Sequence, residues 1–421
     1  MKGMYLCAML TEKEINHVFE LQNGLKVLFR PSAGETGHLA VIINAGTRDE
    51  EEEKNGLAHF IEHTLFKGTK TRKAIKVISG LDAVGGELNA YTTKEETCIY
   101  GSFHKRHLIK ATELISDIIM NSVFPEEELI REKEVIAEEI RSCLDNPSEQ
   151  LFDDFETQVF KNHPLGKNIL GTEKSLRGLK RSDILSFLKK FYKAENMVVG
   201  VTGPFTLQEV KKIVAEYFSE VDDQRAQKRT NKVLRRKAQQ LTVTKDIHQT
   251  HAVIGARAFP LSHKLRTACG LLTNILGGPA MNSKLNLSLR ERKGYAYTVE
   301  AGYHMYSDNG MVHIYFGTDH KNTSRCLNLI DKELQKFMTK SMSSVQLHQS
   351  KIQIEGQLAI AEENKLNTML GLSKQLLHKG KVQTLADTIK KVETVTASDI
   401  LETANQVFDP EYRQTLIFTG A

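Results

Sequence analysis

The feature that most constrains this chain is a long-period echo. Ser182 to Phe191 reads SDILSFLKKF and is followed by MVVGVTG, while Ser398 to Phe408 reads SDILETANQVF and is followed by TLIFTG. The two SDIL strings lie 216 residues apart in a chain of 421, about half its length. In each copy Ser is placed as a helix N-cap with Asp in the first turn, and a β-rich segment follows the helix. A second echo lies upstream: HLAVIINAG from His38 resembles HAVIGARA from His251, each a buried-strand pattern leading toward a helix. A period of domain size implies two similarly folded units rather than a solenoid, whose repeats are roughly 20–50 residues.

Composition agrees with two packed units: 40% hydrophobic and 26% charged residues suit a globular chain too long for one ordinary domain. The boundaries read as an N-terminal domain over 15–220, a basic linker over 221–243 and a homologous C-terminal domain over 244–421. Gln224 to Ala238 (QRAQKRTNKVLRRKA) supplies the linker's charge and reads as a solvated connection. In the first unit VFELQNGLKVLF reads as a hairpin about Asn23-Gly24, a pair that supplies the positive φ angles of a two-residue turn. Helical and strand patterns alternate in both halves, so the fold class is α+β, each unit an α/β layer.

A net charge of +5 and the absence of Trp give no footprint for nucleic acid. Five cysteines without a CxxC pair fit a reducing compartment, and no stretch approaches the roughly 20 apolar residues of a membrane span. KGMYLCAML is a poor secretory leader, and Met9 is an alternative start to Met1. The expected location is cytoplasmic, with no membrane partner.

Chemistry concentrates in NGLAHFIEHTLFKG, residues 55 to 68. Residues i and i+4 of a helix share a face, so His59 and His63 can present ring nitrogens to one point with Glu62 beside them. Asn55 is placed to cap that helix and Gly68 to end it. A zinc site needs a third protein ligand and leaves its fourth position open. The helix after Pro125, FPEEELIREKEVIAEEIRSCL, offers candidates: Glu132, Ile136, Glu139 and Cys143 follow one face with Leu129, and Glu138 points about a quarter turn away. Carboxylates on a partly apolar face are costly without a cation, which favours Glu139 and Glu132.

These residues resemble the inverted-zincin peptidases, the family of pitrilysin, insulysin and mitochondrial processing peptidase. Its members read HxxEH with a glutamate ligand about 75 residues on, and Glu139 follows His63 by 76. NAGTRDE, FKGT and GGELNAYTTKEETCIY (Gly85 to Tyr100) are similar to family segments, and the likeness runs from about residue 15 to the end. It implies one Zn2+ per chain on His59, His63 and Glu139, with Glu62 as general base and Glu132 as supporting acid. LGGPAMNSKLNLSLRERKGYAY (Leu276 to Tyr297) resembles the glycine-rich loop and helix that end in an Arg and a Tyr seven residues apart, here Arg290 and Tyr297. In the family a segment matching Asn89, Ala90 and Tyr91 binds substrate as an added strand.

The resemblance further implies the LuxS/processing-peptidase-like metallohydrolase fold, two homologous domains forming half of a clamshell. The expected function is a zinc metalloendopeptidase acting on flexible oligopeptides or unfolded segments in an enclosed chamber, as a homodimer. Tyr297 would donate to the oxyanion and Arg290 would clamp a substrate carbonyl. The second half has LTNILGG where the repeat would place HxxEH, so no second zinc is expected. The alternative is a non-catalytic or partner subunit of a heterodimeric peptidase of the same fold.

Overall fold

A computed structural model describes residues 16–223, 229 and 236–420. The N-terminal stretch and most of the basic segment lie outside the described residues. The first sheet has six strands, β1 (His17–Glu20), β2 (Lys26–Pro31), β3 (Thr36–Ile43), β4 (Glu87–Thr92), β5 (Thr97–His104) and β6 (Met197–Gly203), in the order β1-β2-β6-β3-β5-β4. The second has five, β7 (Gln239–Thr244), β8 (Thr250–Ala258), β9 (Ala296–Met305), β10 (Gly310–Thr318) and β11 (Gln414–Thr419), in the order β7-β11-β8-β10-β9. In each sheet one pair is parallel, β2 with β6 and β7 with β11, and the rest are antiparallel. The second sheet therefore repeats the first strand for strand, with β1 added. Both sequence echoes fall at equivalent places: HLAVII and HAVIGA are β3 and β8, and MVVGVTG and TLIFT are β6 and β11.

Among the described residues eight α-helices belong to the first half of the sequence: α1 (Leu57–Thr64), α2 (Ala74–Asp82), α3 (Leu108–Asn121), α4 (Glu126–Asp145), α5 (Pro147–Val159), α6 (Glu173–Gly178), α7 (Arg181–Phe191) and α8 (Leu207–Phe218). Six follow: α9 (Arg266–Gly277), α10 (Thr323–Thr339), α11 (Ser344–Glu362), α12 (Lys365–Lys379), α13 (Leu385–Thr394) and α14 (Ala397–Val407). The SDIL helices are α7 and α14, but their serines do not cap them. The caps are Lys180 and Thr396, two residues earlier, and Asp183 and Asp399 reach back to accept those residues' backbone N–H at 2.8 Å. Asp at the third helical position is the better partner for that orphan donor.

The chain forms two compact units, and two helices depart from the linear division read from the sequence. Arg141–Gly166, which carries α5, groups with the second sheet; Ala361–Gln383, which carries α12, groups with the first. On the first sheet Leu372 and Leu376 of α12 bury Leu28 and Val198, and Met369 buries Ala40, Ile42 and Cys98. The opposite face carries the main core, where Phe60 and Ile61 of α1, Ile115 of α3, Phe187 of α7 and Val214 of α8 are buried. The second unit repeats the scheme. Leu151, Phe155 and Val159 of α5 cover Val253, Met311, Leu416 and Phe418, and α9, α10 and α14 cover the other face. Each unit is a sheet with a helical layer on one side and a single helix on the other.

The first hairpin joins β1 to β2 as expected, but not through a two-residue turn. Glu20 pairs with Lys26, Leu21 N–H donates to Leu25 at 2.9 Å, and Gly24 alone has positive φ. Asn23 instead donates its amide to the Phe218 and Val221 carbonyls, so a long-range contact overrides the short turn. Arg229, inside the segment read as solvated, is tied down within the first unit: its guanidinium donates to both oxygens of Asp49, at 2.8 and 2.7 Å, and to Asn44. Among the described residues no helix is long and apolar enough to cross a membrane.

Candidate metal centre

Helix α1 is only eight residues long, and Asn55 does not cap it. Gly56 holds the cap position with φ +94°, and an added Cβ there would press on the Leu170 carbonyl. The orphan N–H groups of the first turn are met by Glu50, whose carboxylate accepts from Gly56 at 2.9 Å and Ala58 at 2.7 Å, with the Asn55 amide on the same oxygen as Gly56. Burial pushes the Glu50 carboxyl up to about 7 against the pull of those donors. Gly68 lies past the helix end in a turn, φ +115°, bridged to Lys73. The helix is thus held by a buried carboxylate, with His59 on its first turn and His63 on its last.

On α1, His59 and His63 stand one turn apart with ring centroids 4.6 Å apart, and both Nε2 atoms face Glu139 of α4, at 3.7 and 3.5 Å from its two oxygens. Donors about 2.0–2.2 Å from one tetrahedral ion stand roughly 3.4 Å from each other, so these separations fit a shared cation. The set, two imidazoles and one carboxylate, is the donor chemistry of a catalytic zinc site with an open position. Glu138 is exposed, one step around the helix. Glu132, buried on the same helix, takes His63 Nδ1 at 3.2 Å on one oxygen and the Lys67 ammonium on the other. Among the described residues His59 Nδ1, also buried, has no hydrogen-bond partner.

The electrostatics follow from that asymmetry. Burial, then the neighbouring His63 ring, pushes His59 down to about 4, so it is a neutral ligand. Burial also works against a charged His63, but hydrogen bonds to Glu139 and Glu132 outweigh it and its pKa rises. Glu139 is held below the ordinary carboxylate range by its hydrogen bond to His63. Glu62 moves the other way: burial raises it, and its Oε2 is enclosed with no hydrogen-bond partner among the described residues. A half-buried carboxylate with one enclosed, unused oxygen beside a metal-ligand triad is poised to take a proton.

Beside Glu62 a groove of about 350 Å³ is lined by Phe66, Ile78 and Asp82 and by Leu88, Asn89 and Ala90 of β4. β4 is the outer strand of its sheet, so its free edge can accept an extended peptide. Asn89 is exposed, whereas Tyr91 is half-buried, its ring 6.1 Å from Tyr100 and under the Lys374 ammonium at 5.0 Å. Of the three expected strand residues, Tyr91 can offer backbone only.

Arg290 and Tyr297 belong to the second unit. Arg290 lies in the last turn of a π-helical segment, Asn286–Glu291, and is exposed. Tyr297 is the second residue of β9, is 55% exposed and donates its hydroxyl to Asp319 at 2.9 Å, a bond that raises its pKa. Helix α9, the counterpart of α1, buries Leu271, Leu272, Ile275 and Leu276. Sequence reasoning passed over Lys67 and Glu50. Lys67 had a signal, its place four residues after His63; Glu50 had none, because its capping contact comes from outside the helix.

The family model described as insulinase (peptidase family M16) matches residues 26–173, and the peptidase M16 inactive domain matches residues 178–354. An uncharacterized zinc protease of Rickettsia felis is 32% identical over 400 residues, 94% of this chain and 96% of its own. The chain belongs to the M16 insulinase family of peptidases. Another relative, an uncharacterized zinc protease of Bacillus subtilis, is 31% identical over 404 residues, 95% of this chain and 97% of its own. A protease from Helicobacter pylori has the same fold, with a TM-score of 0.91 at 24% identity over 96% of this chain and 99% of that one. So does a peptidase M16 inactive domain from Pseudomonas fluorescens, at 0.90 and 17% over 97% and 98%. The M16 zinc protease family makes zinc the metal to test against the His59, His63 and Glu139 donors, and their spacing fits it.

Proposed function

We propose that this chain is a zinc-dependent endopeptidase that hydrolyses flexible oligopeptides or unfolded segments, with one Zn2+ per chain. The observation that carries the reading is the convergence of His59, His63 and Glu139 beside a Glu62 oxygen that is buried and has no hydrogen-bond partner among the described residues. Zinc bound by these three side chains would supply a Lewis acid that polarises a peptide carbonyl and makes a water acidic near neutral pH. Glu62 takes the proton of the attacking water and returns it to the leaving amine, work for which its raised pKa suits it. The substrate backbone pairs with the edge of β4 at Asn89 and Ala90, and the side chain beside the reacting carbonyl enters the groove under Phe66 and Ile78. Glu132 orients His63. Tyr297 serves as donor to the developing oxyanion and Arg290 as a clamp on a substrate carbonyl.

The same reading makes the protein a homodimer that works in an enclosed chamber in the cytoplasm, with peptide as its substrate and no part for membrane or nucleic acid. The test is cleavage of a quenched peptide library by wild type and Glu62→Gln, with zinc content measured on both. Chelator-sensitive cleavage in wild type, lost by at least about 100-fold in a variant that keeps its zinc, is expected from loss of a general base. Zinc-loaded wild type that cleaves nothing would leave the fold with a binding role.

A further inference from the structure

His63 lies in the last turn of α1 and Lys67 follows in the turn beyond it, where Leu65 N–H donates to Ile61 at 2.9 Å and Lys67 N–H to Thr64 at 3.2 Å. Both side chains end on one carboxylate, Glu132 of α4. That carboxylate is buried and has an oxygen for each, Oε2 for His63 Nδ1 and Oε1 for the Lys67 ammonium. The other cation of this loop with named partners is committed elsewhere, Arg72 to Asp117 and Glu113. Among the described residues His59 has no such support on its Nδ1.

We propose that Lys67 is a positioning residue of the metal centre, acting through Glu132 on the His63 ring. Its ammonium fixes one Glu132 oxygen and thereby turns the other toward Nδ1, which leaves Nε2 of the same ring aimed at Glu139. Without that grip Glu132 is a buried acid with a single partner, free to rotate away from His63, and the ring loses the hydrogen bond that sets its orientation. Lys67 also borders the groove beside Glu62, but its ammonium is already spent on Glu132, so it offers no free charge to a peptide. The inference rests on the zinc reading of His59, His63 and Glu139.

The test uses the full chain stripped of metal by chelator and titrated with zinc against a competing chromophoric chelator. Lys67→Met should weaken zinc binding about 10- to 100-fold, the range for loss of an orienting partner, and Lys67→Arg should recover most of it. In a Glu132→Gln background Lys67→Met should add little further loss, because the path runs through that carboxylate. At saturating zinc, kcat should fall in Lys67→Met with KM little changed. Equal zinc affinity in Lys67→Met and wild type, with a raised KM, would overturn the proposal and make Lys67 a substrate contact. Independent, multiplicative losses in the double variant would overturn the path through Glu132. A wild-type chain that takes up no zinc would sink the metal reading itself, an outcome distinct from both.

Discussion

At the scale of single residues, Glu138 and Glu139 differ by one step of about 100° around α4, and that step decides which carboxylate can meet the rings. Glu139→Gln should empty the site in a metal assay, whereas Glu138→Gln should keep its zinc, since its side chain is on the exposed face. This part of the site was legible because i, i+4 spacing on one helix and a mixed apolar face on another are local patterns. What was not legible arrives from outside the pattern. Glu50 caps α1 through space, so the sequence suggested Asn55 instead. Its titration gives a further expectation. The folded carboxyl, near 7, lies above its ordinary value of 4.5, so the folded state binds the extra proton and stability falls as pH rises from about 4.5 to 7. A gap of that size corresponds to roughly 3 kcal/mol. Denaturation of wild type and Glu50→Gln at pH 5 and pH 8 should show the variant gaining on wild type by an amount of that order at the higher pH. A difference that does not change with pH would mean that the helix donors, not burial, set this group.

Between elements, α12 shows how packing can hide from a sequence reading. Its partners Leu28, Ala40, Ile42 and Val198 lie more than 150 residues away in the chain, and no local period announces the contact. The signal on the sheet side is a glycine. Gly200 sits in the middle of β6, and a Cβ there would collide with Ser373 Oγ and Met369 Sδ of α12. Gly200→Ala should therefore push α12 outward and cost about 1–3 kcal/mol, the usual range for overpacking. Ser373→Ala removes one of the two colliding atoms, so the double variant should recover part of that loss, and the coupling is measured by comparing thermal midpoints of the two singles and the double. Strict additivity would show that Gly200 is constrained by its strand neighbours instead. The capping corrections at α7 and α14 belong to the same scale. SDIL was a true repeat, but the chain enters each helix two residues before the serine because Asp serves better from inside the first turn.

For the whole molecule, the repeat correctly announced two sheet-based units but concealed that each borrows its covering helix from the other half of the sequence. A 216-residue period reports similarity between halves and carries no information on which half supplies a given layer. The exchange has an energetic consequence. Met369, Leu372 and Leu376 are all buried against the first sheet, and at about 1.5–3 kcal/mol for each buried side chain they contribute about 5–9 kcal/mol. That is comparable with the whole stability of a typical domain, about 5–15 kcal/mol. A fragment ending at residue 223 should accordingly fail to unfold cooperatively by itself, with Leu28, Ala40, Ile42 and Val198 open to an apolar dye and α5 left without Val253 and Phe418 to cover. Zinc binding should be weakened along with it, since α1 and β4 rest on the same sheet. Mixing that fragment with one beginning at residue 236 should restore the cooperative transition and the metal site together, because each piece carries the helix the other lacks. If the N-terminal fragment alone unfolded cooperatively and bound zinc as the full chain does, α12 would be dispensable and the unit would end where the repeat does.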